Sequence, residues 1–334
     1  MVAIGARIGP GAGSTLHPVA SSDPVGRLEI KQELDADDLT QLKDLLDSAE
    51  RADGHKPIDD HRWVDLAQGG RTPFTALLAH EPGHSHPVGY AHVERGDHSW
   101  SIELVIDPHH RYEALDLGPQ LLRASADVIA AAGGGHVHLW VYKPTAAHDS
   151  IMETIGLSRG RDLWQMRRSL PLEGSSPLAL EATTSVVTRP FEPGRDEDAW
   201  LEVNNRAFHW HPEQGGWTHD DVVSREAEPW FDPEGFLLHE IDGELAGFCW
   251  TKVHPDHEPP LGEIYVIAVD PAFHGRGLGR ALTIAGLTHL AHQGFDIGML
   301  YVDSDNDSAV GLYRDLGFEI DHVDRAFTGD IEPA

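Results

Sequence analysis

With 334 residues the chain is long enough for two domains of ordinary size, each with its own core. Its 25 basic against 55 acidic residues give a formal net charge of −30, which repels nucleic acid and anionic membranes over most of the surface. An anionic cofactor therefore has to be held by local geometry, and the single cysteine, Cys249, excludes an intrachain disulfide and fits a reducing cytoplasm.

Residues 1–26, rich in Gly, Ala, Pro and Ser and without the apolar core of a signal peptide, are expected to be a disordered lead-in. No run approaches the roughly 18 apolar residues of a membrane span. From residue 27 onward the chain contains itself twice. PVGYAHV at 87–93 parallels LAGFCWTKV at 245–253, and IELVIDP at 102–108 parallels YVIAVDP at 265–271. The apolar helix from Leu117 parallels that from Leu278, and HLWVY parallels MLYVD. An offset of 163 residues separates Asp107 from Asp270, and 161 separates Gly156 from Gly317. So steady an offset marks a tandem repeat: a first domain at 27–171, a Pro/Ser-rich linker at 172–184 and a second domain at 185–330.

Within the second copy the pattern predicts a helix over 197–208 and a loop through HPEQGGW. A hairpin follows, with strands at 235–240 and 245–253 about an Asp242-Gly243 turn. Cys249 lies in the second of these strands and reads as a buried thiol rather than a nucleophile. Next comes an unbroken apolar strand over 263–269, suited to a central position buried on both faces. It runs through Asp270-Pro271 into Gly275, Gly277 and Gly279, which open a helix reaching to about Gln293. A strand over 298–302 and a short helix over 308–316 with Gly317 at its end complete the unit. The expected class is α+β: two tandem domains, each a twisted mixed sheet flanked by helices.

A strand, a glycine turn and a helix N-terminus make an anion site, because unpaired N–H groups at a helix start carry partial positive charge and glycine lets a pyrophosphate approach them. The turn lacks the Lys-Ser/Thr end of a P-loop and the distal acid of a dinucleotide fold. Glu263 at the start of the central strand is placed to act as a base, directly or through a water. Tyr313 on the last helix could act as an acid. The backbone of Ile267, Ala268 and Val269 would pair with an extended ligand as an added strand does. Counting back seven residues from the Asp-Pro of each copy sets Trp100 opposite Glu263, and Met152 falls opposite Tyr313. The first copy also reads RYEALDLG where the second reads HGRGLG, so it has kept a fold and lost a site. The H-x-H pairs His84/His86, His136/His138 and His209/His211 have no partner at zinc-site spacing, and no metal is expected.

His274-Gly275-Arg276-Gly277-Leu278-Gly279 resembles the acyl-CoA-binding signature Gln/Arg-x-x-Gly-x-Gly/Ala of the GNAT acetyltransferases, with His274 departing from the first position. More specifically, VNNRAFHWHPEQGGWT, EPWFDPEG, GFCWTKVHPDH, LGEIYVIAVDPAFHGRGLGRAL and LYVDSDNDSAVGLYRDLGF are similar to the tandem-GNAT mycothiol synthase (mycothiol acetyltransferase) family. The resemblance covers nearly all of the second copy and, more thinly, the first. It implies acetyl transfer from acetyl-CoA to the cysteinyl amine of cysteinyl-glucosaminyl-inositol, with Glu263 as base and Tyr313 as acid. It implies substrate contacts at Asp60, Glu213, Lys252, Glu263 and Tyr301. Acetyl-CoA contacts are implied at Ile267, Ala268 and Val269, at His274, Gly275, Arg276, Gly277, Leu278, Gly279 and Arg280, and at Asn306, Asp307, Ser308, Ala309, Val310 and Gly311. Leu104, Val105 and Ile106 would be the vestigial counterpart in the first copy. A cytoplasmic monomer with a small-molecule substrate is expected. Two other readings stay open, a tandem GNAT acting on another small amine or a protein N-terminus, and a non-catalytic acetyl-CoA sensor.

Overall fold

A computed structural model describes residues 27–58, 60–67, 69, 73–96, 99–172, 186–209 and 216–334, the side chains of 60, 61 and 64 excepted. The expected lead-in at 1–26 and residues 173–184 of the expected linker lie outside the described residues. The chain forms two compact units, one of residues up to Leu163 together with His322–Ala334, the other Trp164–Asp321.

In the first unit β1 (Arg27–Lys31), β2 (Phe74–His80), β3 (Gly89–Arg95) and β4 (Trp100–Ile106) form an antiparallel run, and β4 pairs in parallel with β5 (Gly135–Tyr142). Helix α1 (Ala36–Asp53) starts at a capping box in which the Asp35 carboxylate accepts from the Asp38 N–H. Leu42, Leu45, Leu46 and Ala49, at the three- and four-residue spacing of one helix face, are buried with Ala76, Leu78 and Tyr90 of the sheet. Helix α2 spans Asp60–Ala67. Helices α3 (Ala114–Ala131) and α4 (Ala146–Glu153) supply a second cluster, with Leu117, Leu121 and Ile151 against Leu104, Ile106 and Leu139.

Strand β6 (Ser158–Ser169) begins in the first unit and ends in the second. Correspondingly, β12 (Glu319–Ile331) begins in the second unit, and its residues Asp324–Ile331 pair antiparallel with β5 of the first. The compact units therefore divide at 163/164 and 321/322, while the repeat divides the sequence near residues 171–185.

The second unit contains β7 (Arg189–Pro190), α5 (Glu197–Ala207), α6 (His219–Glu226), β8 (Phe236–Ile241), β9 (Glu244–His254), β10 (Leu261–Val269), α7 (Leu278–His292), β11 (Ile297–Asp303) and α8 (Asp307–Asp315). Strands β7 to β10 pair antiparallel in order, and β11 joins β10 in parallel. The Asp242-Gly243 turn has positive φ at both residues, 54° and 84°, as a two-residue hairpin turn requires. One side of this sheet packs Cys249, Ile264, Leu282, Leu287 and Tyr313, and burial pushes the Cys249 thiol up to about 12. The other side packs an aromatic cluster of Trp200, Phe236, Phe248 and Trp250. No helix among the described residues is long and apolar enough to cross a membrane.

Candidate active site

The centre of the second unit is an irregular strand. β10 pairs with β9 from Leu261↔His254 to Ile264↔Thr251, then resumes at Val266↔Trp250, so Tyr265 is an extra residue with no partner. Such a bulge bends a strand and raises its local twist. On the opposite edge the parallel ladder to β11 covers Gly262↔Gly298, Glu263↔Met299 and Ile264↔Leu300. The bulge and the end of that ladder coincide, and beyond them Ile267, Ala268 and Val269 turn a backbone edge away from β9. That edge is where an extended amide-bearing arm could add.

Glu263 sits just before the bulge and is buried. Its Oε2 lies 2.7 Å from His254 Nε2. Burial alone would raise the carboxyl, but the His254 hydrogen bond and charge, with the charge of Lys252, more than offset it, and the net shift is downward. Glu263 is therefore an anion at neutral pH. Lys252 stands directly across the ladder from it, with Nζ 4.6 Å from the Trp230 ring centre and 5.2 Å from that of Tyr265. Cross-strand partners share a face of a sheet, so Glu263, Lys252 and the aromatic cluster line one side. His254, a fifth exposed in its side chain, links the carboxylate to solvent. Sequence reasoning missed it; only the antiparallel register brings it beside Glu263.

Tyr313 belongs to the core cluster on the other side, packed edge-on against Phe318 at 5.8 Å between ring centres. Burial, with the neighbouring Cys249, pushes its hydroxyl well above the usual range, so it stays protonated at neutral pH. Glu263 and Tyr313 do not touch. They lie on opposite faces of the sheet, so a group that meets both must enter where β10 and β11 part. Tyr301 on β11 accepts a hydrogen bond of 2.8 Å from Gln165 Nε2.

At the end of β10, Asp270 accepts from the Ala272 N–H and from the Arg206 guanidinium at 2.6 Å, which fixes the turn into α7. Gly275 and Gly277 have φ of +78° and +75°, where a side chain costs about 1–2 kcal/mol, and a Cβ on either would project into open space. Gly277 caps α7 with no side chain on its N–H groups, which stay available to an anion. His274 turns back, its Nε2 2.9 Å from the Val269 carbonyl oxygen, while Arg276 lies over Phe273 and Arg280 binds Asp315 at 2.8 Å. Leu278 is buried beneath the turn and Gly279 faces Leu312. Asn306 Oδ1 accepts from the Ala309 N–H, and the segment from Asp307 through Ser308, Ala309 and Val310 to Gly311 forms the first turns of α8. Glu213 lies outside the described residues, and of Asp60 only its backbone, the start of α2, is described.

The first unit differs at each of these points. β4 pairs with β3 without interruption from Arg95↔Trp100 to Gly89↔Ile106. Lacking the extra residue, it sets Ser101, not Trp100, at the position of Glu263: Ser101 pairs with Glu94 and His138 as Glu263 pairs with Lys252 and Met299. Counting along the sequence missed by one because it passed over the bulge. Leu104, Val105 and Ile106 are buried beyond the last β4–β5 pair, Ser101↔His138. Met152 is buried on α4. A 3-10 turn, Pro108–Glu113, replaces the glycine cradle.

Comparison with known proteins agrees with this architecture. Residues 200–318 match the acetyltransferase (GNAT) family model. The chain is 43% identical over 282 residues to a mycothiol acetyltransferase of Acidimicrobium ferrooxidans, covering 84% of this chain and 90% of that protein. It is 46% identical over 278 residues to one of Thermobispora bispora, covering 82% and 90%. A tandem GNAT protein from the clavulanic acid biosynthesis pathway superposes with a TM-score of 0.65 at 15% identity, over 92% of this chain and all of that one, a likeness of fold.

Proposed function

The chain belongs to the mycothiol acetyltransferase family of tandem GNAT N-acetyltransferases, and from that membership we infer that it moves acetyl from acetyl-CoA to the cysteinyl amine of cysteinyl-glucosaminyl-inositol, giving mycothiol. The observation that carries the mechanism is the buried, ionised Glu263 at the point where β10 leaves β11.

Glu263 takes the ammonium proton of the incoming amine, directly or through a water, and His254 offers it a route to solvent. The free amine attacks the thioester carbonyl, and the C–S bond breaks as the tetrahedral adduct collapses. Tyr313, kept protonated by burial, gives its proton to the departing thiolate and regains one, by way of solvent, as the nitrogen left cationic by the attack sheds its second proton. The edge of Ile267–Val269 holds the pantetheine arm, and the Gly275–Arg280 turn and the start of α8 hold the phosphates through backbone N–H groups. Lys252, Tyr301, Glu213 and Asp60 are assigned to the polyol and the cysteinyl group, which carboxylates, a phenol and an ammonium can hydrogen-bond. The setting assigned is the cytoplasm, in line with a lone thiol, Cys249, that is buried and free.

The nucleophile is the amine because a thiol would only exchange one thioester for another, whereas amide formation is strongly downhill. Mass spectrometry of the product should show one added acetyl group, with the thiol still reactive toward a maleimide. A blocked thiol, or no turnover of this substrate beside turnover of another amine, would reduce the assignment to an acetyltransferase of other specificity.

A further inference from the structure

In the first unit, at the end of β4 where the second unit has its anion cradle, three potential metal ligands converge: Glu81, His84 and His110. Glu81 and His84 lie in the β2–β3 loop, and His110 in the 3-10 turn after β4. Glu81 Oε2 is 3.4 Å from His110 Nε2 and 3.7 Å from His84 Nε2, and the three ligand atoms all lie within 4.8 Å of one another. Two imidazole nitrogens this far from a carboxylate oxygen are too distant for good hydrogen bonds. Both carboxylate–imidazole separations come close to the edge of a tetrahedron, about 3.3 Å for bonds of about 2.0 Å to a zinc-sized ion.

A second observation points the same way. His110 is buried and its Nδ1 has no hydrogen-bond partner, yet that atom faces Asp107 Oδ1 at 3.5 Å. A carboxylate behind the second nitrogen of a ligating histidine is the usual support of a metal-bound imidazole, fixing its tautomer and raising its basicity. Asp107 is itself held by His86 Nε2 at 2.7 Å and by the His109 N–H. The His84 and His110 rings meet edge to face with centres 4.6 Å apart, and each brings its Nε2 to within 3.7 Å of the same Glu81 oxygen. His84 is exposed, leaving room for a solvent molecule as fourth ligand. We propose that Glu81, His84 and His110 form a site for one divalent transition-metal ion of the zinc class, which ties the β2–β3 loop to the turn after β4.

The test uses the full chain without a polyhistidine tag. Isothermal titration with Zn²⁺ should show one site per chain well resolved from weaker surface binding. His84→Ala and Glu81→Gln, both at partly exposed positions that do not threaten the fold, should each weaken it tenfold or more. His136→Ala, which removes an exposed histidine elsewhere in the unit, should leave it unchanged. Co²⁺ in the same site should give the intense visible absorption of a four-coordinate ion, lost in His84→Ala. An isotherm that His84→Ala and Glu81→Gln do not alter, or a Co²⁺ spectrum of the weakly absorbing hydrated type, would overturn the proposal.

Discussion

Strands β4 and β10 occupy the same place in two copies of one design, and their pairing with the preceding strand differs by one inserted residue. β10 carries Tyr265 as a bulge and keeps a buried carboxylate just before it; β4 runs straight and has Ser101 there. The comparison extends to the strand ends, where one copy turns through glycines with bare N–H groups and the other through a turn flanked by Asp107, His86 and His110. The two copies thus keep the same strand pairing and differ at the two spots where charge must be handled. Buried carboxyls divide by partner rather than by unit: His254 keeps Glu263 ionised and His86 does the same for Asp107, whereas burial pushes Asp324 up to about 7.

The largest effect that would sharpen this contrast lies in the turns. Gly277→Val places a β-branched residue at φ +75° and fills the cradle, so kcat/KM for acetyl-CoA should fall on the order of 100-fold, equivalent to roughly 2.7 kcal/mol. Gly118→Val, whose Cβ would meet the Ile151 side chain at 3.1 Å, should lower Tm by several degrees and leave that ratio nearly intact. Equal kinetic losses in both variants would break the comparison.

A smaller effect concerns protons. His254→Leu removes the partner that offsets burial at Glu263, so the carboxyl should titrate higher and the acidic limb of the rate profile should move to higher pH. The pH dependence of kcat/KM checks this, and an unmoved limb would detach His254 from the base. The smallest effect falls on stability. Because the folded pKa of Asp324 is raised above its unfolded value, its contribution is fully present below about pH 4 and is lost as pH rises through about 7. Asp324→Asn should therefore gain a few degrees in Tm over the parent at pH 8 and little or nothing at pH 4, measured by calorimetry.

Features set by neighbouring residues were legible in the sequence. The Asp242-Gly243 hairpin, the glycine turn before α7 and Gly317 after α8 all follow from local backbone preference, and each has the positive φ that such turns need. The repeat itself disclosed the tandem architecture. What the sequence hid depends on pairing at a distance. The bulge at Tyr265 has no local signature, so Trp100 rather than Ser101 was set against Glu263. The ending of β12 beside β5 rests on a ladder between segments nearly two hundred residues apart. His254 meets Glu263 only through strand register, and Glu81, His84 and His110 meet only because a loop and a turn share one end of a sheet.

The central claim is that the second unit holds the base and the first does not. Its most direct test is steady-state CoA release from pH 6 to 9 by Glu263→Gln and Ser101→Ala, with acetyl-CoA affinity measured alongside. Glu263→Gln keeps the volume but cannot take a proton, so kcat should fall by about 10² or more with affinity little changed, while Ser101→Ala stays within about twofold of the parent. Near-normal turnover of Glu263→Gln across that range, or a comparable loss in Ser101→Ala, would contradict it.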